Sequence, residues 1–197
     1  FEVFGRSQLA KLSGDELEVL RATLNTILGL KDAGLDAIWV FMLSNIYAPI
    51  TLAQCKFDML VGNPPWIAMR YVENISYQDF LKREVLSYEL LSSGQVYQFS
   101  NIETATLFFC KSSDIYLEKD GIISFVMPRS VLTGALHHIN FKQLRKPKMK
   151  LAKILDLEDV SPIFNVPSCV LIALKGETTS YPVVARKFAG NLPEKNV

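Results

Sequence analysis

Apolar residues recur every three or four positions early in the chain. Leu17, Leu20, Leu24, Ile27 and Leu28 share one helical stripe, and Ser13-Gly14-Asp15-Glu16 has capping-box spacing just before it. Gly29 or Gly34 offers a stop, and a second helix is predicted over Leu35 to Tyr47, ended by Pro49. The pattern changes at Phe57. Phe57-Asp58-Met59-Leu60-Val61-Gly62 is a short apolar run of the kind found in central parallel strands covered by helices on both faces. A helix is then predicted around Ser76 to Leu91, a polar loop at Ser92-Ser93-Gly94, and a helix from about Glu103 to Glu118. Further strands are predicted at Ile122–Val126, Lys153–Leu157, Ser168–Leu174 and Pro182–Lys187. Strands alternating with helices make an α/β layered sheet. The short turn from Lys175 to Tyr181 predicts that the last two strands pair antiparallel.

Composition narrows the picture. A chain of 197 residues suggests one domain, or one with an appendage, and 49% hydrophobic against 21% charged residues excludes wholesale disorder. A net charge of +1 excludes a global attraction to nucleic acid or membrane, leaving only local patches. One such patch is Lys142, Arg145, Lys146, Lys148, Lys150 and Lys153, a run that reads either as solvated surface or as phosphate contacts. Cys55, Cys110 and Cys169 sit far apart among apolar neighbours, as buried reduced thiols of a cytoplasmic protein would, with no metal site; His137-His138 lacks a ligand set and reads as structural. The uncharged stretch from Ala37 to Cys55 contains Ser44, Asn45, Pro49 and Gln54 and reads as a buried helix running into a loop, with no membrane span. The chain opens on Phe1 without a leader pattern, and an excerpt of a longer protein is expected.

Chemistry concentrates where the first strand ends, at Gly62-Asn63-Pro64-Pro65-Trp66. In open α/β sheets ligands bind beyond the carboxyl ends of strands. Pro64 and Pro65 have no N–H, so the turn presents carbonyl acceptors, and each proline stiffens the residue before it. Asn63 adds an amide oxygen and Trp66 a π face. Such a cluster suits a planar group bearing an NH2. An exocyclic amine is a poor nucleophile because its lone pair is delocalised; two acceptors taking both N–H bonds draw the nitrogen toward tetrahedral geometry. That is positioning and preorganisation rather than base catalysis. Arg129 and Ser130 follow the second strand on the same edge.

Asn-Pro-Pro-Trp after an apolar strand resembles the fourth motif of the amino-group DNA methyltransferases, and the Trp form is most like the N6-adenine enzymes of restriction-modification and phage-defence systems. Thr104-Ala105-Thr106-Leu107-Phe108-Phe109 with Gly121-Ile122-Ile123-Ser124-Phe125-Val126-Met127-Pro128 resembles that family's fifth and sixth motifs. Ile163-Phe164-Asn165-Val166-Pro167-Ser168-Cys169-Val170-Leu171-Ile172 resembles its eighth. The resemblance implies the later strands of a Rossmann-like class I sheet, S-adenosylmethionine as cofactor, double-stranded DNA as partner, and restriction or specificity subunits as further partners. It implies that Asn63 and the Pro64 carbonyl hold the adenine amine, that Trp66 stacks on the flipped base with Phe164 on its other side, and that Phe109 lines the cofactor's adenine pocket. Phe108 and Phe109 also have the spacing of core residues.

The chain departs from the family upstream. No two of its ten glycines form Gly-x-Gly, and no acid stands ready for a cofactor ribose. The expected division is therefore a helical segment over 1–56, the catalytic side of the methyltransferase domain over 57–190, and a tail over 191–197. Two rivals share some of these features: a methyltransferase acting on a protein glutamine or a ribosomal RNA guanine amine, and a non-catalytic DNA-binding or assembly module.

Overall fold

The computed structural model describes residues 13–34, 45, 48, 52–133, 136–161 and 163–192. The chain divides into two units, Phe1–Leu52 and Ala53–Val197. In the first, helix α1 covers Gly14–Asp32, running through Gly29 and ending before Gly34, whose φ of +70° is the left-handed conformation that favours glycine. Apart from Asn45, the predicted helix from Leu35 to Tyr47 lies outside the described residues, as do Pro49 and most of the uncharged stretch. So does the Glu16 side chain, on which the expected capping box turns.

The second unit is a five-stranded sheet. Its elements are β1 (Phe57–Gly62), α2 (Ile75–Ser87), α3 (Thr104–Tyr116), β2 (Leu117–Pro128), α4 (Ile139–Gln143), β3 (Met149–Ser161), β4 (Ser168–Lys175) and β5 (Val184–Asn191). The order across the sheet is β1-β2-β4-β3-β5. β1 and β2 are parallel, β4 is antiparallel to both β2 and β3, and β5 is parallel to β3. The expectation that β4 and β5 pair is corrected. Both flanks of β4 are taken by β2 and β3, so the connection passes over the start of β3 and β5 joins its outer flank. Thr179 holds that crossing: its hydroxyl accepts from the Leu151 N–H at 2.9 Å and donates to the Met149 carbonyl at 3.2 Å.

One sheet face is sealed. Ile123, Phe125 and Met127 of β2 and Leu171 and Ala173 of β4 are buried, and α3 packs on the sheet through Ala105, Phe109 and Cys110. Phe109 lies at the centre of this layer, edge-on to Phe125 at 5.8 Å and to Phe141 of α4 at 5.6 Å. Both ends of α3 are tied down. Lys175 donates to the carbonyls of Ser113, Asp114 and Leu117, and Lys56 to Asp114 and Ile115, placing two cations at the negative end of the helix. Across the helical layer Lys111 pairs with Glu84 of α2, and Tyr88 donates to Asp114 at 3.0 Å.

Three expectations are corrected here. Among the described residues β1 lies at the edge of the sheet, where a central strand was expected, and Met59 and Val61 are 59% and 76% exposed. Cys55 is exposed, whereas Cys110 and Cys169 are buried. α2 stops at Ser87 because the backbone turns through Glu89 at φ +56°, and the polar stretch beyond it winds into a 3-10 segment, Ser93–Asn101. Among the described residues no helix is long and apolar enough to cross a membrane, and no cluster of His, Cys, Asp or Glu could hold a metal ion.

Two predictions follow from the packing. A Cβ on Gly121 would stand 2.8 Å from Leu117 Cδ1 and 3.0 Å from the backbone oxygens of Asp58 and Glu118. Gly121→Ala is therefore expected to cost about 1–3 kcal/mol, read from the midpoint of urea unfolding. His138 is fully buried with neither imidazole nitrogen hydrogen-bonded, and burial, helped by His137 and Lys142, pulls its pKa from 6.5 down to about 4. The unfolded chain thus takes up the proton first. The stability held by the neutral ring is complete above pH 6.5 and is lost as pH falls toward 4, roughly 3 kcal/mol in all. His138→Leu should flatten that part of the stability–pH curve.

Candidate functional site

Parallel pairing of β1 with β2 brings their carboxyl ends to one edge of the sheet. Gly62 sits opposite Phe125, so Asn63–Trp66 emerges beside the end of β2 and the Arg129–Ser130 turn that follows it. Gly62 is needed for this approach, since a Cβ there would lie 3.1 Å from the Phe125 ring. The antiparallel strand β4 begins at the same edge, with Ser168 opposite Pro128, which delivers the preceding loop and Phe164 to the site.

Within the turn the four residues differ sharply. Asn63 is exposed, and no hydrogen bond among the described residues engages its side chain; the Pro64 carbonyl is likewise unspent. The Pro65 carbonyl, by contrast, accepts from the hydroxyl of Thr104 at 2.7 Å. The Trp66 indole N–H donates to the Val126 carbonyl at 3.2 Å, which pins the ring against β2. Two acceptors on consecutive residues therefore remain without an internal partner, the amide oxygen of exposed Asn63 and the peptide carbonyl of buried Pro64.

Trp66 and Phe164 come together, but not as the walls of a slot. Their centroids are 4.8 Å apart at a tilt of 56°, so the rings touch each other. A planar base needs about twice a 3.5–4.0 Å contact distance between the flanking rings. The expected sandwich is thus corrected to a continuous aromatic surface. Phe164 is 43% exposed, and its loop, with Asn165, Val166 and Pro167, lines a cavity of about 210 Å3 against Leu157, Glu158 and Val160 of β3.

Charge around the site is arranged to hold loops. The Arg129 guanidinium bonds both Asp156 oxygens at 3.0 and 3.1 Å and Glu158 at 3.1 Å, and the main-chain N–H of Arg129 donates to the Pro167 carbonyl at 2.8 Å. Burial alone would raise the Asp156 carboxyl; the bonds from Arg129 and from the Glu158 backbone prevail and hold it below the usual range. Ser130 donates to Glu103 Oε1 at 2.7 Å, while Glu103 Oε2 is buried without a partner, and burial pushes this carboxyl upward. Cys169, on the same edge, is buried, which pushes its thiol up to about 12.

Other expected residues fall elsewhere. Phe109 is sealed at 0% exposure, which corrects its assignment to a cofactor pocket; its neighbour Phe108 is 42% exposed. Lys142 donates to the Leu132 and Thr133 carbonyls, and Lys150 pairs with Glu177 at 2.7 Å. Arg145, Lys146 and Lys148 are exposed. They precede Met149, which pairs with Lys175, at the opposite end of β4 from the site, about 23 Å away by strand rise. The residues missed by sequence reasoning are Glu103 and Thr104. Their one signal is a carboxylate and a hydroxyl at the start of a helix, where backbone-binding side chains gather.

The model of the Eco57I restriction-modification methylases matches residues 16–164, a span that contains Asn63–Trp66, the start of α3 and Phe164. The chain belongs to that family. Its sheet is accordingly the later part of a Rossmann-like class I methyltransferase fold. No curated protein matches the chain. Among solved structures it is similar to a protein of Listeria monocytogenes described as a class I S-adenosylmethionine-dependent methyltransferase (14% identity over 68% of this chain and 38% of that one, TM-score 0.48). It is also similar to a protein of Vibrio vulnificus described as a modification subunit of a type I restriction enzyme (15%, 71% and 26%, TM-score 0.46). A third is the type IIL restriction-modification enzyme MmeI, solved in complex with DNA (16%, 73% and 19%, TM-score 0.46). The chain spans well under half the length of each. S-adenosylmethionine, the cofactor of such enzymes, finds no glycine-rich cradle among the described residues of this methylase-family chain, and the side chain expected to line its pocket is in the core.

The aromatic contact is open to test. A double-mutant cycle on Trp66→Ala and Phe164→Ala should give a coupling of about 0.5–1.5 kcal/mol in unfolding free energy. Strict additivity would mean the rings do not touch in solution.

Proposed function

We propose that this chain is the amine-holding part of a DNA adenine-N6 methyltransferase of a restriction-modification system. The observation that carries the reading is the selective freedom of two acceptors, Asn63 Oδ1 and the Pro64 carbonyl, beside an aromatic surface at the carboxyl edge of the sheet. Membership in a restriction-modification methylase family supports DNA as the substrate.

A flipped adenine packs on the aromatic surface that Phe164 and Trp66 form together. Flipping costs a few kcal/mol, and stacking worth about 1–3 kcal/mol per base offsets it. The two N6 hydrogens are donated to Asn63 Oδ1 and to the Pro64 carbonyl. Because prolines remove the competing donors, the nitrogen meets only acceptors, and its lone pair is turned out of conjugation toward the site of attack. S-adenosylmethionine, when bound, supplies the electrophilic methyl group. The chain's own contribution is orientation: a fixed amine needs no loss of rotational freedom at the moment of reaction.

The test is label transfer from methyl-tritiated S-adenosylmethionine by the native protein that contains these residues, offered DNA, protein and ribosomal RNA together. Label is expected in DNA as N6-methyladenine. Asn63→Ala should lower that transfer by at least about 100-fold with an unchanged circular dichroism spectrum, because Asn63 is exposed and supports no packing. Label confined to protein or RNA overturns the choice of substrate, and transfer unchanged in Asn63→Ala overturns the site.

A further inference from the structure

We infer that Thr104 is a positioning residue for methyl transfer: its hydroxyl holds the soft torsion that joins Pro65 to Trp66 and takes up the Pro65 carbonyl, so that the Pro64 carbonyl is the one left to face the target amine. This rests on the reading above. Across the turn the proline rings lock φ at positions 64 and 65. Each proline also confines the ψ of the residue before it, so ψ of Asn63 and of Pro64 is held extended. Between the Asn63 and Trp66 Cα atoms only ψ of Pro65 is left, because Trp66 imposes no such restriction on it. That torsion orients the Pro65 carbonyl and sets where the Trp66 ring lies relative to Asn63.

Thr104 closes this last freedom. Its Oγ1 donates to the Pro65 carbonyl at 2.7 Å and accepts from the Ile67 N–H at 3.2 Å, while its own N–H donates to the Ile67 carbonyl at 2.8 Å. The hydroxyl is buried and belongs to the first residue of α3, a helix anchored on the sheet by Phe109 and capped by Lys56 and Lys175. The turn is thus referenced to the rigid part of the fold. The same hydroxyl withdraws the Pro65 carbonyl from competition, leaving the Pro64 carbonyl as the peptide acceptor beside Asn63. Glu103, one residue earlier, ties in Ser130 from the turn after β2, so the start of α3 holds both strand-end turns in register.

Thr104→Val keeps shape and the main-chain bond to Ile67 but removes both hydroxyl bonds. In the native protein, with DNA and S-adenosylmethionine as substrates, Thr104→Val should lower kcat by about 10- to 100-fold, with KM for DNA within about twofold of the parent. Thr104→Ser should restore kcat to within about threefold, which a purely space-filling role would not do. If the valine variant does not fold, Thr104→Ala carries the same comparison. An unchanged kcat in the valine or alanine variant, or a serine variant as slow as valine, overturns the inference. Should Asn63→Ala also retain full activity, the site itself has failed; loss in Asn63→Ala with normal Thr104→Val rejects the role of Thr104 alone.

Discussion

The parallel pairing of β1 with β2 is the constraint on which everything else depends. Parallel neighbours send the chain out at the same edge, so the turns after Gly62 and Pro128 become adjacent without any contact between them in sequence. The close approach of the strands requires the missing side chain at Gly121, and the exit of β1 requires it again at Gly62. α3, which connects the two strands, must then begin at that edge and end at the other. Its first residues bind both turns and its last carbonyls receive two lysines. The site is thus a by-product of a crossover connection packed on one face.

Polar groups near the edge divide by task. Arg129, Asp156, Glu158, Glu103 and Ser130 are spent on one another, and Thr104 on backbone. Within the turn after β1, what is left unspent among the described residues is small, one amide side chain and one carbonyl; elsewhere on the edge Glu103 Oε2 also lacks a partner. In a crowded polar region that selectivity says more than composition does, because a group already satisfied internally has little to gain from a ligand.

Much of this was legible in the residues. Strands β1, β2 and β4 announce themselves as short apolar runs, and the order of the Asn-Pro-Pro-Trp, Phe108-Phe109 and Phe164 segments marks the family before any coordinates. What was not legible involves partners distant in sequence. Helical spacing shows that Phe108 and Phe109 differ in direction but not which one faces the sheet. The basic run looked uniform until Lys142 and Lys150 were seen to be taken by carbonyls and by Glu177. The placement of β5 depended on β4 having no free flank, which no local pattern encodes. Thr104 meets Pro65 across 39 positions, and a threonine at a helix start gives no hint of whose carbonyl it will hold.

The open flank of β1 has a consequence for handling the protein. Among the described residues nothing hydrogen-bonds to that side of the strand, and Met59 and Val61 stand out from it toward water. A row of unclaimed amide and carbonyl groups bordered by aliphatic side chains is a template for adding another strand, with no charge or proline at Met59–Val61 to discourage it. Unless that border is shielded, the exposed strand leaves the chain prone to edge-to-edge pairing as it is concentrated.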